Sequence, residues 1–384
     1  MKLTAGRIGI ILLMIPALTK LLGKGRNLII SDFFACALAA WLMGAAAYVD
    51  PQNSLSSAGA ECLEFAGAYF VARGLFFGVA AIDAFMGVLK IVVTIAIVAG
   101  FADTLAGRWI VNETLAGHPE QADYRLDGIV RALSLFDHPI LFGAFCAVSG
   151  VLFLFAQPTT NLQLRWGGFC FLGCLSALSS APLLSFLIGA GVRLYDQFLR
   201  QFTWRWTALW CVVIAAMAIA LLIGEHPIRW IISHMTFDPS SGYFRLLIWD
   251  GALSKIAERP FAGYGLNSVG DVIVDATTDT VWLVLALRFG VPASALLLLA
   301  NIAALASTNS PRNALLDPRF LQLRSGFTVV LVLFALTGLT VHYWNYMWLF
   351  WGLCLGIRAN LREQQAAGQA GIPALRGTAH SVRS

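Results

Sequence analysis

Long runs of apolar residues dominate the chain. Strongly apolar segments fall at about 8–23, 28–48, 64–81, 85–102, 138–156, 166–180, 182–199, 206–224, 280–306, 324–341 and 343–358. A helix of about 20 residues spans the hydrocarbon of a bilayer, and most of these runs approach or reach that length. They do not alternate with a period of two, and inside hydrocarbon a helix bonds every peptide group within its own segment. The pattern therefore predicts an all-α fold, a polytopic membrane helical bundle of about 10–12 transmembrane helices. Two boundaries stay open. Ser179-Ser180-Ala181-Pro182 reads as a tight turn between two short helices or as a kink in one long one. The run from Phe327 to Ile357 is too long for one straight helix, and His342, Tyr343, Trp344 and Asn345 mark its hairpin tip.

Composition strengthens the membrane reading. Hydrophobic residues make up 58% of the 384 positions and charged residues 12%, with 12 Trp and 26 Phe. A soluble domain carries about 25% charged residues, so a water-soluble globule is excluded. The net charge of +5 comes without a basic block, which argues against a nucleic-acid partner. The seven cysteines form no CxxC pair, lie mostly in apolar runs and read as small hydrophobes. The first apolar run leads into Lys20, Lys24 and Arg26 with no small-residue cleavage site, so no cleavable signal peptide is expected.

Loop charges orient the bundle. Segments 20–26, 192–205 and 309–324 are basic, as is the tail 359–384, and these read as cytoplasmic. Segments 49–64, 103–137 and 225–279 are acidic and read as external. This divides the chain into a transmembrane domain over 1–358, a large external loop over 225–279 within it, and a short mobile tail. If 8–23 crosses, it also puts the start of the first helix outside, against the pull of Lys2 and Arg7, and that end stays open. Within the large loop, the apolar residues Phe244, Leu247, Ile248, Leu253, Ile256 and Ala257 suggest an amphipathic helix over 242–257, which stops at Pro260 and Gly263.

That loop holds the richest chemistry. Arg245 and Trp249 lie one turn apart on the predicted helix, Arg259 follows its end, and Tyr264 sits in the Gly263–Gly265 turn before Asp271, Asp275 and Asp279. Two arginines beside a flexible turn suit a diphosphate, because the guanidinium fork binds phosphate oxygens bidentately and keeps its charge. A salt-bridged surface helix would carry the same charges. In the other long external segment, Arg125 and Arg131 either converge on the same anion or pair with Asp123 and Asp127. Arg288 lies nine residues beyond Asp279 in an apolar run and should face the bundle or a wet cavity. His342 at the hairpin tip belongs either to the site or to an aromatic belt. HExxH, Walker A and GxSxG motifs are absent, as are paired His or Cys ligand sets, so neither a metal nor a cofactor is expected. No basic loop is long enough for a nucleotide-binding domain, so a transferase here would need a membrane-borne, already activated donor.

The stretch FRLLIWDGALSKIAERPFAGYGLNSVG (244–270), followed by DTVWLVLALRFGVPA (279–293), resembles the signature of the bacterial O-antigen ligase and polysaccharide polymerase superfamily. YRLDGIVRALSLFDHPILFGAF (124–145) resembles the upstream segment of that family. The likeness covers about 120–384, and 244–293 is its specific part. It implies a GT-C-like fold with a partly helical periplasmic loop, in the bacterial inner membrane. The family's diphosphate-binding arginines match Arg125, Arg245 and Arg259. The histidine of the ligases falls on Asp279 and its neighbouring Asn on Thr280, a departure that favours the exopolysaccharide polymerase branch. The Ser-Arg-Gly common in the family is missing at 179–182. The implied reaction polymerises polyprenyl-diphosphate-linked oligosaccharide repeat units at the periplasmic face, with ligase-type transfer to another acceptor or lipid-linked oligosaccharide flipping as alternatives. Asp279, Arg245 and Arg259 become the candidate catalytic residues. Arg125, Arg131, Arg288, Trp249, Tyr264 and His342 become candidates for holding diphosphate or sugar. Lipid-linked oligosaccharide and the bilayer are the implied partners, with a chain-length regulator and polysaccharide export proteins beside them.

Overall fold

The computed structural model describes residues 4–116, 124–125, 128–202, 204–223, 239–306 and 317–368. In chain order the helices are α1 (Ala5–Leu21), α2 (Ile30–Val49), α3 (Ser54–Cys62), a π-helical segment (Leu63–Gly67) and α4 (Ala68–Leu75). Next come α5 (Val79–Ala106), α6 (Ile110–Ala116), α7 (Pro139–Ala156), α8 (Thr160–Ser176), α9 (Ser180–Phe198) and α10 (Arg205–Ile223). The last six are α11 (Pro239–Glu258), α12 (Val272–Thr277), α13 (Val281–Phe289), α14 (Val291–Leu305), α15 (Pro318–Thr337) and α16 (Tyr346–Ala366). The strands are two short antiparallel pieces, β1 (Tyr124–Arg125) and β2 (Ile129–Val130). The fold is therefore all-α among the described residues. Among the described residues four helices, α2, α5, α7 and α15, are long and apolar enough to cross a membrane.

α7 is the centre of the bundle. His138 caps it by accepting the Ile140 N–H at 3.1 Å, Pro139 supplies a pre-set first turn, and every residue except Ile140 is buried. α8, α9 and α15 pack around it. A second layer forms where Gly352 and Gly356 of α16 lie against the backbone of Phe65 and Tyr69, leaving no room for a side chain at either glycine. The outer flanks stay apolar, as at Ile11, Leu12 and Ile15 of α1 and Val88, Ile91 and Ile95 of α5, which suits contact with lipid tails.

Hydrogen bonds between segments define two ends. At one end Arg26 and Arg73 meet Asp32 and Glu363, while Arg319 of α15 meets Asp83 of α5 and the Ala156 carbonyl of α7. Most of the arginines of the helix ends gather here, and we call it the basic end. At the opposite, acidic end Leu266 N–H reaches Ser54, Ala132 N–H reaches the Ser176 carbonyl, and Asn345 reaches Asp137.

Several boundaries differ from the sequence expectation. The 64–81 run is the second half of a longer unit, in which α3, the π segment and α4 run on from Ser54 to Leu75. Residues 177–179 are a turn between α8 and α9, with Leu178 at φ +45°, so the two-helix alternative holds there. The run 280–306 is broken at Gly290, whose φ of +82° and packing against Phe261 leave no place for a Cβ. α14 then doubles back past α13, because Ser294 Oγ donates to the Trp282 carbonyl at 2.9 Å. α16 continues into the expected tail, where Asn360 is buried and donates to the Ala72 and Phe76 carbonyls, both at 2.9 Å.

Candidate functional site

The predicted loop helix exists as α11, and its apolar face decides where it sits. Ile248, Ala252 and Ile256, spaced four apart, pack with Tyr264, Val269 and Val274 against Leu283, Ala286 and Leu287 of α13, with Trp249 at the edge of this small core. The turn after α11 then covers the end of α13. Tyr264 N–H donates to the Leu287 carbonyl at 2.7 Å, Gly265 N–H to the Arg288 carbonyl at 3.0 Å, and Val291 N–H to the Pro260 carbonyl at 2.7 Å. These bonds satisfy carbonyls that a helix end leaves open. Gly263, at φ +67°, makes the close approach possible.

Tyr264 is buried, and its hydroxyl proton is shared between Glu258 Oε2 at 3.0 Å and the Lys255 carbonyl at 3.1 Å. Hydrogen bonds from Lys255 and Tyr264 hold the Glu258 carboxyl below its ordinary range. The Arg259 guanidinium stacks over the Tyr264 ring at 4.8 Å and is otherwise exposed. It stands at the edge of a cleft of about 450 Å³ lined by Tyr48, Val49 and residues 259–263.

Asp279 is exposed, immediately before Thr280, which caps α13 by accepting the Leu283 N–H at 3.1 Å. Val281 N–H bonds to the Gly338 and Val341 carbonyls, which places Asp279 beside the hairpin that carries His342. His342 is 5% exposed, sits edge-on to Trp344, and its Nδ1 has no hydrogen-bond partner. Burial, with Arg288 nearby, holds its pKa down at about 3, so the ring is neutral at physiological pH.

Arg288 is part of a polar network that the sequence did not reveal. It pairs with Glu61 of α3 at 3.1 Å. One turn on, Glu64 pairs with Arg7 of α1 at 2.8 Å; Arg7 also donates to Asn345 Oδ1 at 3.1 Å, and Asn345 donates to Asp137 at 2.7 Å. Arg7 is thus compensated at the acidic end, so its charge does not oppose placing the start of α1 there. Asn345 holds a φ of +43°, a strained backbone that its two side-chain bonds secure. Burial pushes the Glu61 carboxyl up to about 7 despite Arg288, with Glu64 adding repulsion. A carboxyl of that pKa can take or give a proton near neutrality.

The structure brings Trp249, Arg259, Tyr264, Asp279, Arg288 and His342 to the acidic end. Arg131 lies apart from the cleft. It is buried, donates to the Ala177 carbonyl at 3.1 Å, and its own carbonyl accepts the Trp109 ring N–H, so it braces the α8–α9 turn. Arg245 lies on α11 and Arg125 on β1, but their side chains fall outside the described residues. Among the described residues no group of three or more His, Cys, Asp or Glu could hold a metal ion. Residues missed from sequence are Arg7, Glu61, Glu64, Asn345 and Tyr48. The available signal was the pair Glu61 and Glu64, one turn apart at the lip of an apolar run, which needs cationic partners from elsewhere in the fold. No protein-family model matches the chain, and no curated protein matches its sequence.

Proposed function

We propose that the chain is a polytopic inner-membrane glycosyltransferase that polymerises polyprenyl-diphosphate-linked oligosaccharide repeat units at the periplasmic face. The observation that carries the reading is the unit built from α11, the turn 259–265 and α13. It holds an exposed arginine at the lip of a cleft and an exposed carboxylate at the mouth of the neighbouring helix. The likeness of 244–293 to the polymerase signature falls on that same unit. In this reading the acidic end faces the periplasm, the basic end faces the cytoplasm, and the helices cross the bilayer about ten to twelve times.

The acceptor hydroxyl oxygen attacks the anomeric carbon of the donor sugar, and the bond from that carbon to the diphosphate oxygen breaks with its electron pair. Negative charge builds on the departing diphosphate, where Arg259, with Arg245 and Arg125, stabilises it. Asp279 orients the acceptor hydroxyl and receives its proton as the new bond forms. Arg288 and His342 hold sugar hydroxyls beside it. Keeping both lipid-tethered substrates on one protein supplies much of the rate by proximity.

The test is to incubate purified protein with isotope-labelled lipid-linked repeat units. A ladder of lengths is expected. A single product on a different lipid would mean a ligase, and unchanged substrate moved to the other leaflet a flippase.

A further inference from the structure

The basic end holds three arginines that the network around Arg73 leaves out. Arg324 of α15 and Arg358 and Arg362, one turn apart on α16, gather beside the C-terminal end of α14. Arg358 donates from Nε to Thr328 Oγ1 at 2.8 Å and from Nη2 to the Leu305 carbonyl at 3.3 Å. Arg362 donates to the Ala303 carbonyl at 2.6 Å and Arg324 to Gln365 Oε1 at 3.0 Å. Thr328 donates in turn to the Arg324 carbonyl at 2.7 Å within α15, so the Arg358 bond to Thr328 ties the two helices together.

Every one of these acceptors is neutral. None of the three guanidinium groups pairs with a carboxylate among the described residues, and Glu363 is held by Arg26 and Arg73 at 3.0 and 2.6 Å. The flanking segments 307–316 and 369–384 contain no Asp or Glu that could be recruited. Capping the end of α14 offers only about half a negative charge against three positive ones. Arg358 is 4% exposed, has Arg324 and Arg362 as charged neighbours, and its Nη1 has no hydrogen bond at all. A buried cation without a counter-charge is costly, so the cluster is complete only when an anion joins it.

We propose that Arg324, Arg358 and Arg362 form a phosphate-binding site at the basic end, filled by the headgroup of an anionic phospholipid or by free phosphate. Guanidinium forks match phosphate oxygens, and three of them converge here. The surface leading to the site favours the lipid source. Leu298 and Ile302 are exposed on α14 one turn apart, on the helix that ends at the Ala303 and Leu305 carbonyls. Acyl chains can lie along them while the phosphate meets the arginines. The site lies at the far end from the cleft and does not depend on the transfer reaction.

The experiment uses the full chain, purified and delipidated in neutral detergent. Native mass spectrometry is run with phosphatidylglycerol and with phosphatidylcholine, and thermal melting with each lipid and with inorganic phosphate against chloride at equal ionic strength. A retained phosphatidylglycerol adduct and a raised melting temperature are expected, with neither from phosphatidylcholine. Arg358→Gln, Arg362→Gln and Arg324→Gln should each weaken the adduct about tenfold, the scale of one hydrogen bond to a charged group. Should Arg358→Gln fail to accumulate, the partly exposed Arg324 and Arg362 carry the variant test, and the wild-type lipid comparison needs no variant. Stabilisation by inorganic phosphate alone supports a soluble-anion source, and by phosphatidylglycerol alone a headgroup source. Equal response to both lipids, with phosphate no better than chloride, overturns the proposal. So does wild-type affinity for phosphatidylglycerol in the Arg324→Gln and Arg362→Gln variants.

Discussion

The two ends of the bundle treat arginine in opposite ways. At the basic end Arg73 is 0% exposed and donates to Asp32, Glu363, Asn360 and the Asn27 carbonyl, so its fork is saturated. At the acidic end Arg259 is exposed, and its contact with the protein is the face of Tyr264. A saturated fork fixes helices and has nothing left to offer a ligand. An exposed fork on a rigid ring can receive phosphate oxygens without breaking anything first. The contrast separates structural arginine from arginine still able to take a ligand, by what each lacks, and by that measure Arg358 belongs with Arg259 although it lies at the other end.

The largest effect expected from this comparison is at Arg73. Arg73→Met strands the buried Asp32 carboxylate and leaves Glu363 to Arg26 alone, and breaking a buried pair in this way costs about 3–5 kcal/mol. Melting and yield in detergent should both fall sharply, whereas an unchanged melting temperature would mean the basic network is not structural. Arg259→Lys should behave in the reverse manner. Melting should move by no more than about 0.5 kcal/mol, as for other exposed substitutions. The proposed polymerisation should drop by about 100-fold or more, as when one preorganised donor to a developing anion is lost. Full activity in Arg259→Lys would end the diphosphate assignment.

The same contrast has a pH signature at the acidic end. Folding raises the Glu61 pKa from 4.5 to about 7, so its contribution to stability is full below pH 4.5 and is lost as pH rises through 7. Folding lowers the His342 pKa from 6.5 to about 3, so its contribution is full above pH 6.5 and is lost as pH falls toward 3. The two oppose each other between pH 4.5 and 6.5. Glu61→Gln should therefore make the melting temperature rise more steeply with pH than in wild type across that window. His342→Gln should do the opposite. Parallel melting curves for all three proteins would show that neither group titrates with folding.

Helices were legible in the sequence because hydropathy and the 3.6-residue period are local. The amphipathic stretch 242–257 is α11, the hairpin tip at 342–345 separates α15 from α16, and the helix after Asp279 starts at Val281. The break at Gly290 was not legible, because 280–306 is apolar on both sides of it and hydropathy carries no record of a φ angle. Ion pairs were hidden for a different reason. Glu61 and Arg288 are 227 positions apart and Arg7 and Glu64 are 57 apart, so only the closed fold brings them together. Sequence named Arg288 as a charge that must face the interior but had no means of naming its partner. Arg131 was open in another way, since its spacing beside Arg125 allowed a shared anion or pairing with Asp123 and Asp127, and neither could show that its Nε donates to the Ala177 carbonyl in the turn at 177–179.

The smallest expected effect asks which part of Tyr264 supports Arg259. The hydroxyl ties the turn back to Glu258 and Lys255, while the ring carries the guanidinium and fills the core shared with α13. Tyr264→Phe removes only the hydroxyl bond, worth about 0.5–1.5 kcal/mol, and leaves the ring in place. Melting should fall slightly and polymerisation should stay within a few-fold of wild type. Tyr264→Ala removes the stacking face and opens a cavity against Leu287, at a cost of about 3–5 kcal/mol, and activity should fall with it. Equal activities for the two variants, at a temperature where both remain folded, would mean that the ring does not position Arg259. If Tyr264→Phe instead proves as damaging as Tyr264→Ala, the bond to Glu258 is what holds the turn on α13, and the exposed arginine owes its position to the same kind of satisfied bonding that governs the basic end.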